Sequence, residues 1–176
     1  PLDNYFDVDQ NVAYPVYEKD GSIVTDFTMH VSNQNTSCII RNSGELACWG
    51  KPNDGVPTPG DPECYNGICQ PHPTAILEEP DGEPISDAVL VDMMHYQQNQ
   101  TTCIIREDGT VWCWNMSTLT SFVFSFWPTD EDPAIPVQIE GLPGKAVDLN
   151  LLNDQACARM EDTSVWCWGF SRSGEF

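Results

Sequence analysis

The feature that most constrains this chain is a twelve-residue unit that occurs three times. It reads CIIRNSGELACW from Cys38 to Trp49, CIIREDGTVWCW from Cys103 to Trp114 and CARMEDTSVWCW from Cys157 to Trp168. In each unit two cysteines lie ten positions apart, a turn-prone pair stands midway, and a tryptophan follows the second cysteine. The pattern predicts the same β-hairpin three times.

The turn of the first unit sets the pairing of its cysteines. A three-residue loop that ends at Gly44, with the glycine in the left-handed conformation, places Cys38 opposite Cys48. Directly opposed side chains are close enough for a disulfide bond. The second unit has Gly109 at the same position, whereas the third has Thr163, so its turn is expected to be strained or of another type.

The spacing of the eight cysteines predicts four disulfides: Cys38 with Cys48, Cys64 with Cys69, Cys103 with Cys113, and Cys157 with Cys167. Opposed hairpin cysteines are poorly placed to share one tetrahedral metal, so the three long-spaced pairs are expected to be oxidised. The shorter CYNGIC segment could pass as half a zinc knuckle, but no second half lies nearby, and a small disulfide loop is favoured. Paired cysteines predict an oxidising location, which is extracellular, on the cell surface or periplasmic.

Charge limits the partners. The chain has 27 acidic and 7 basic residues, a formal net charge of -20, and 40% apolar residues, which is the profile of a folded acidic domain. A phosphate-binding surface needs clustered Lys and Arg, so we predict no nucleic-acid partner. The longest apolar run, residues 122–127, is too short to span a bilayer, so no membrane span is predicted.

No segment shows helical periodicity, so the chain is predicted to be all β. The first cysteines of successive units lie 65 and 54 residues apart. A repeat of roughly 50 residues with about four strands is typical of β-propeller blades. We predict one repeat region over residues 1–176, divided into a first blade with its lead-in (1–50), a disulfide-containing loop (51–84), a second blade (85–127) and a truncated third blade (128–176).

The residues at matching positions carry a family resemblance. They are Gly44, Cys48, Trp49, Gly50 and Gly55 in the first unit, Thr102, Cys103, Asp108, Gly109, Val111, Cys113 and Trp114 in the second, and Val165, Cys167, Trp168, Gly169 and Gly174 in the third. This pattern resembles the secreted, disulfide-bearing form of the regulator of chromosome condensation-type repeat, from about Ile23 to Phe176. The resemblance implies propeller blades, usually seven in a ring. With three units here, we expect either a fragment of a longer protein, which is favoured, or a ring shared between copies.

The candidate binding residues form an aromatic cluster that is not repeated: Phe122, Phe124, Phe126 and Trp127. The alternative is that they form an outer strand packed on its own blade, and the functional interpretation is an exposed patch that docks a partner. By contrast, the repeated Trp49, Trp114 and Trp168 are interpreted as packing residues, since each occupies one structural position.

Sites of modification, metal binding and catalysis are weakly indicated. Asn35, Asn99 and Asn115 match the N-glycosylation pattern. No cofactor is predicted, although acidic clusters around residues 54–63, 78–83 and 130–132 are candidates for calcium binding. The histidines lack zinc-binding spacing and no nucleophile motif occurs, so we predict no metal site and no catalytic residues.

The sequence therefore favours a secreted or cell-surface binding scaffold rather than an enzyme. Its loops, chiefly residues 51–84 and 116–136, are expected to contact a protein, a glycan or neighbouring copies of the chain. The alternatives are a structural subunit of an extracellular assembly, with edge strands paired between chains, and an accessory domain of an exported enzyme.

Overall fold

The computed structural model of the chain describes residues 13–34, 36–50, 70–78, 82–96, 99–114, 136–152 and 155–169. Its regular structure is entirely β, as predicted. The described strands are β1 (Phe27–Ser32), β2 (Thr36–Arg41), β3 (Leu46–Gly50), β4 (Gln70–Ala75), β5 (Ala88–Tyr96), β6 (Asn99–Arg106), β7 (Val111–Trp114), β8 (Val137–Gln138), β9 (Ala146–Leu152), β10 (Gln155–Met160) and β11 (Val165–Gly169).

The strands form three antiparallel sheets, each a meander in chain order. Strands β1 to β4 form blade 1, β5 to β8 form blade 2, and β9 to β11 form blade 3. The blades stack in the same order, because β5 lies against β1 and β2, and β9 lies against β5 and β6. This arrangement confirms a partial propeller of the predicted class.

The hairpin register agrees with the prediction in all three blades. Each pair of long-spaced cysteines lies directly opposite and is joined by a disulfide: Cys38 with Cys48, Cys103 with Cys113, and Cys157 with Cys167. Thr163 has a φ of 74°, so the third turn keeps the left-handed conformation that Gly44 and Gly109 adopt at φ 85° and 84°. Its turn is therefore of the same type and strained, because a β-branched residue is disfavoured there. Cys64 and Cys69 lie outside the described residues.

The fourth strands correct two expected boundaries. Within the predicted loop 51–84, β4 pairs with β3, and in the segment given to blade 3, β8 pairs with β7 of blade 2. Strand β4 contains Pro71 and Pro73, and the prolines of its segment had predicted a loop, whereas β8 follows Pro136 in a segment that had been assigned to blade 3. An outer edge strand tolerates proline, because its outward-facing backbone has no ladder hydrogen bond to lose.

The core lies between the blades rather than within one sheet. One apolar cluster joins blades 1 and 2 around Trp114, and a second joins blades 2 and 3 around Trp168. Both indole side chains are buried. Trp114 and Trp168 therefore each pack their own blade on the one before it.

The turn glycines of one blade contact the following blade. The Ala88 amide donates to the Gly44 carbonyl at 3.1 Å, and the Ala146 amide donates to the Gly109 carbonyl at 2.9 Å. A Cβ on Gly44 would lie 2.4 Å from the carbonyl oxygen of Ser86. Glycine is therefore needed both for its φ and for the close approach of the following blade.

This close approach gives the first prediction. Gly44→Ala should lower the free energy of unfolding by about 3 kcal/mol or more, because a left-handed alanine costs about 1–2 kcal/mol and the steric clash adds to it. Gly21→Ala is the matched control, since Gly21 has the same φ of 85° and nothing within 4 Å of its Cβ position. Equal losses for the two variants in urea titrations would contradict the blade contact.

Candidate functional site: the end faces of the blade array

An arginine clamp fastens blade 1 to the segment that precedes it. The Arg41 guanidinium donates to Glu18 at 2.8 Å, to Asp26 at 2.7 Å and to Glu45 at 3.1 Å. The pKa of Arg41 is raised, chiefly by the hydrogen bond to Glu18. A single cation thus holds three carboxylates from two segments of a strongly acidic chain.

Blade 2 repeats the clamp. Arg106 donates to both carboxylate oxygens of Asp87 at 2.8 Å and also contacts Glu78. Blade 3 has Met160 and Lys145 at the positions of Arg106 and Asp87, and therefore lacks the pair. The clamp distinguishes blades 1 and 2 from blade 3.

The clamp gives the second prediction. Arg41→Met should destabilise the chain by about 2 kcal/mol, because charge-assisted hydrogen bonds are lost and three carboxylates are left together. Arg159→Met is the control, since Arg159 is 49% exposed and lies 3.6 Å from Asp148, whereas Arg41 is 15% exposed. Thermal unfolding that shows similar losses for both variants would contradict the clamp.

The internal interfaces always join the same two faces. The forward face of a blade carries its disulfide, and the back face of the next blade carries its tryptophan. In blade 1 the forward face is formed by Cys38, Ile40, Leu46 and Cys48. In blade 2 the back face that covers it includes Val91, Met93, Ile104 and Trp114.

The forward face of blade 3 departs from this apolar pattern. Its members are Cys157, Arg159, Val165 and Cys167. Val165 is 64% exposed, whereas Leu46 and Val111 at the same position are both 0% exposed. Arg159 takes the place of a buried isoleucine in blades 1 and 2. Among the described residues this face is therefore an open, mixed surface.

The back face of blade 1 is more polar than that of blade 2, with His30 and Ser32 where blade 2 has Val91 and Met93. His30, Ser32 and Ser37 stand at the positions of Val91, Met93 and Thr102 in blade 2. The Ser32 hydroxyl lies 2.7 Å from His30 Nε2 and 2.8 Å from the Ser37 hydroxyl. The Trp49 ring stacks on His30 with centroids 6.0 Å apart, and Trp49 is half-buried.

One carboxylate joins blade 2 to blade 3. Asp92 accepts the Leu151 amide at 2.7 Å and the Met93 amide at 2.9 Å. Burial raises the pKa of Asp92, hydrogen bonds from these amides oppose the shift, and the charge of Asp148 adds to it. This acid lies on β5, the first strand of blade 2, and accepts a hydrogen bond from β9, the first described strand of blade 3.

The raised pKa gives the third prediction. A folded-state pKa above the unfolded value means that the group favours folding most at low pH, and that this contribution is lost as the pH rises through the folded pKa. Wild type should therefore lose stability relative to Asp92→Asn on going from about pH 3 to about pH 7. A stability difference that is independent of pH would contradict this.

Several predicted site residues lie outside the described residues: Phe122, Phe124, Phe126, Trp127, Asn35 and Asn115. Asn99 begins β6, opposite Tyr96. Of the acidic clusters considered for calcium, Glu78 contacts Arg106, and the described residues bring no three His, Cys, Asp or Glu side chains together as a metal site. Within the described ranges there is also no helix long and apolar enough to cross a membrane.

The end faces were not identified from the sequence. Arg159 and Thr163 were the available signal, because both break the pattern that the first two units share. Arg159 and Thr163 indicate a changed blade face only if their positions are known to face a neighbouring blade, and only the structure shows which positions do so.

Known structures share this architecture. Prp20p from Saccharomyces cerevisiae matches 82% of the chain at 15% identity, with a TM-score of 0.52. Human WBSCR16 matches 85% at 17% identity, with a TM-score of 0.60. The chain folds as RCC1-type propeller blades.

The similarity to the RCC1-type structures is a similarity of fold, and the chain aligns with only part of each of them. The chain spans about a third of these solved structures, which are 33% and 35% covered. Yeast RCC1 (Prp20) bound to Kap60 is similar to the same degree, with a TM-score of 0.54 at 16% identity and 32% of its length covered. No family model and no curated protein matches the sequence.

Proposed function

We propose that this chain is a non-catalytic binding scaffold, secreted or displayed on a cell surface, whose RCC1-type blades hold loops that contact a protein or glycan. The observation that carries the proposal is the placement of its two longest connections. One leaves β3 at Gly50 and returns at Gln70, and the other leaves β7 at Trp114 and returns at Val137. Since both start at the end of the third strand of a blade, they leave blades 1 and 2 on the same side, the side where β3 and β7 end.

The platform beneath these connections is rigid. A disulfide crosses each of the three hairpins, and successive blades are joined by turn-to-strand hydrogen bonds. A cross-strand disulfide of this kind contributes about 2–3 kcal/mol by restricting the unfolded chain. Rigid elements that present variable loops at one end are a common architecture for recognition.

An extracellular location is supported by the same disulfides, which persist in oxidising compartments. Prp20p binds Gsp1p and histones, which shows that the fold can support protein binding. The three disulfides argue against an intracellular role for this chain, because intracellular thiols are kept reduced. A protein or glycan ligand outside the cell is consistent with the disulfides of this chain and with the protein binding of Prp20p.

The fourth prediction tests the loops. We would replace residues 51–69, which include Cys64 and Cys69 together, by a Gly/Ser linker of equal length, and residues 116–135 in a second variant. Labelled wild-type chain should bind saturably to intact cells of its native source, and at least one loop variant should bind about tenfold more weakly.

The control for this comparison is Val147→Lys, which alters an exposed side chain on β9. It should bind like wild type. Thermal unfolding of all four proteins establishes that the loop variants are folded. Undiminished binding by both folded loop variants would contradict the proposal, as would an absence of saturable binding by wild type.

A further inference from the structure

Charge is unevenly distributed between the two sides of the blade array. We call the side that carries the hairpin turns at residues 42–45, 107–110 and 161–164 the turn side. In blades 1 and 2 its turns, and the segments that enter β1 and β5, carry nine carboxylates: Glu18, Asp20, Asp26, Glu45, Glu78, Glu83, Asp87, Glu107 and Asp108. At the opposite ends of the same strands, where β3 and β7 end, the described residues include no Asp, Glu, Lys or Arg.

The arginine clamps leave the turn side of blades 1 and 2 negative. Arg41 binds three of the nine carboxylates, Arg106 binds two, and Lys19 adds a third cation. The exposed Asp20 and Asp108 each accept hydrogen bonds from the hydroxyl and the amide of the residue two positions ahead, which lowers the pKa of both carboxyl groups. These two carboxylates therefore stay charged at mildly acidic pH.

A β-bulge holds an apolar side chain outward on the turn side. Strand β5 pairs with β6 through Ala88 and Leu90, and Val89 between them is left out of register. Ala88 and Val91 are buried, whereas Val89 is 51% exposed. A bulge of this kind changes the direction of a side chain relative to the rest of its strand. Phe27, the first residue of β1, is 44% exposed.

These two apolar side chains stand among the carboxylates of the turn side. Asp26 directly precedes Phe27, and Asp87 stands two residues before Val89. Strand β5 lies against β1, so the two strand starts are neighbours. Exposed apolar surface with a charged border is typical of an interaction site. Negative charge around it is complementary to a segment in which Lys and Arg flank an apolar residue.

Blade 3 has the same bulge without the surplus of negative charge. The bulge in β9 leaves Val147 42% exposed. Lys145 stands two residues before it, where blade 2 has Asp87, and Asp148 after it lies 3.6 Å from Arg159. A basic segment is therefore expected to favour Val89 over Val147, although the two valines are held out in the same way.

We infer that the turn side of blades 1 and 2 binds a basic segment of a partner protein. An apolar side chain of the segment packs on Phe27 and Val89, and its Lys and Arg side chains pair with the surrounding carboxylates. This surface lies on the opposite side of the blades from the end of β3 and β7, where the loops of the proposed function leave the array. Failure of either proposal therefore leaves the other standing.

The experiment titrates the full chain with two labelled, capped peptides of equal charge, KRKLLKRK and KRKQQKRK, and follows fluorescence anisotropy at about 0.15 M salt. The leucine peptide should bind saturably. The glutamine peptide should bind about tenfold more weakly or less, because it lacks the apolar contact. Equal binding by the two peptides would show attraction by net charge alone and would overturn the inference, as would an absence of saturable binding by the leucine peptide.

The protein side of the test uses two lysine substitutions that change the net charge equally. Val89→Lys should weaken binding of the leucine peptide about tenfold or more, and Val147→Lys should weaken it less than about twofold. Thermal unfolding establishes that both variants are folded. Should Val89→Lys fail to fold, the comparison of the two peptides on wild-type protein still decides the question. Equal weakening by the two variants would overturn the inference.

A second copy of the chain is the competing occupant of this surface. Light scattering over a concentration series should give a monomer without peptide. Dimers that form with rising concentration and disappear in Val89→Lys would show that the surface binds another copy, and would overturn the assignment to a basic segment of a partner.

Discussion

The directly opposed cysteine pair in each hairpin fixes the register on which the rest of the structure depends. Side chains along a strand alternate between faces, so a cysteine and the tryptophan that follows it must lie on opposite sides of the sheet. The disulfide therefore marks the forward face and the tryptophan the back face of every blade. This alternation makes the stack directional, since Trp114 and Trp168 each pack on the blade before their own.

The same rule explains why the two ends of the stack differ from its interior. Internal faces are mainly apolar and buried, whereas the back face of blade 1 carries His30 and Ser32 where blade 2 has Val91 and Met93, and the forward face of blade 3 carries Arg159. In blade 3, Arg159 is accompanied by Thr163, which carries a Cβ at the turn position where Gly44 and Gly109 lie close to the following blade.

Local pattern was enough to predict the hairpins, their disulfides and the strained third turn, because cysteine spacing and turn chemistry act within a dozen residues. The arginine clamps were not predictable in this way, since Glu18 and Asp26 reach Arg41 from a separate segment. Strand β4 was missed because proline is read as a loop signal, although an outer edge tolerates it. Strand β8 lies in a segment that was assigned to blade 3, although it pairs with β7 of blade 2. To predict the polar end faces, one would need to know which strand positions a neighbouring blade buries, and the sequence does not show this. The predicted aromatic cluster at residues 122–127 lies outside the described residues and stays a prediction.

The hairpin disulfide itself is the most direct test. Trypsin cuts after Lys145, Arg159 and Arg172, and the middle cut falls between Cys157 and Cys167. If native protein is alkylated and digested without reductant, residues 146–159 and 160–172 should remain joined, and reduction should separate them. Separate, alkylated peptides before reduction, or either peptide joined to a cysteine of another blade, would contradict the register from which the whole account follows.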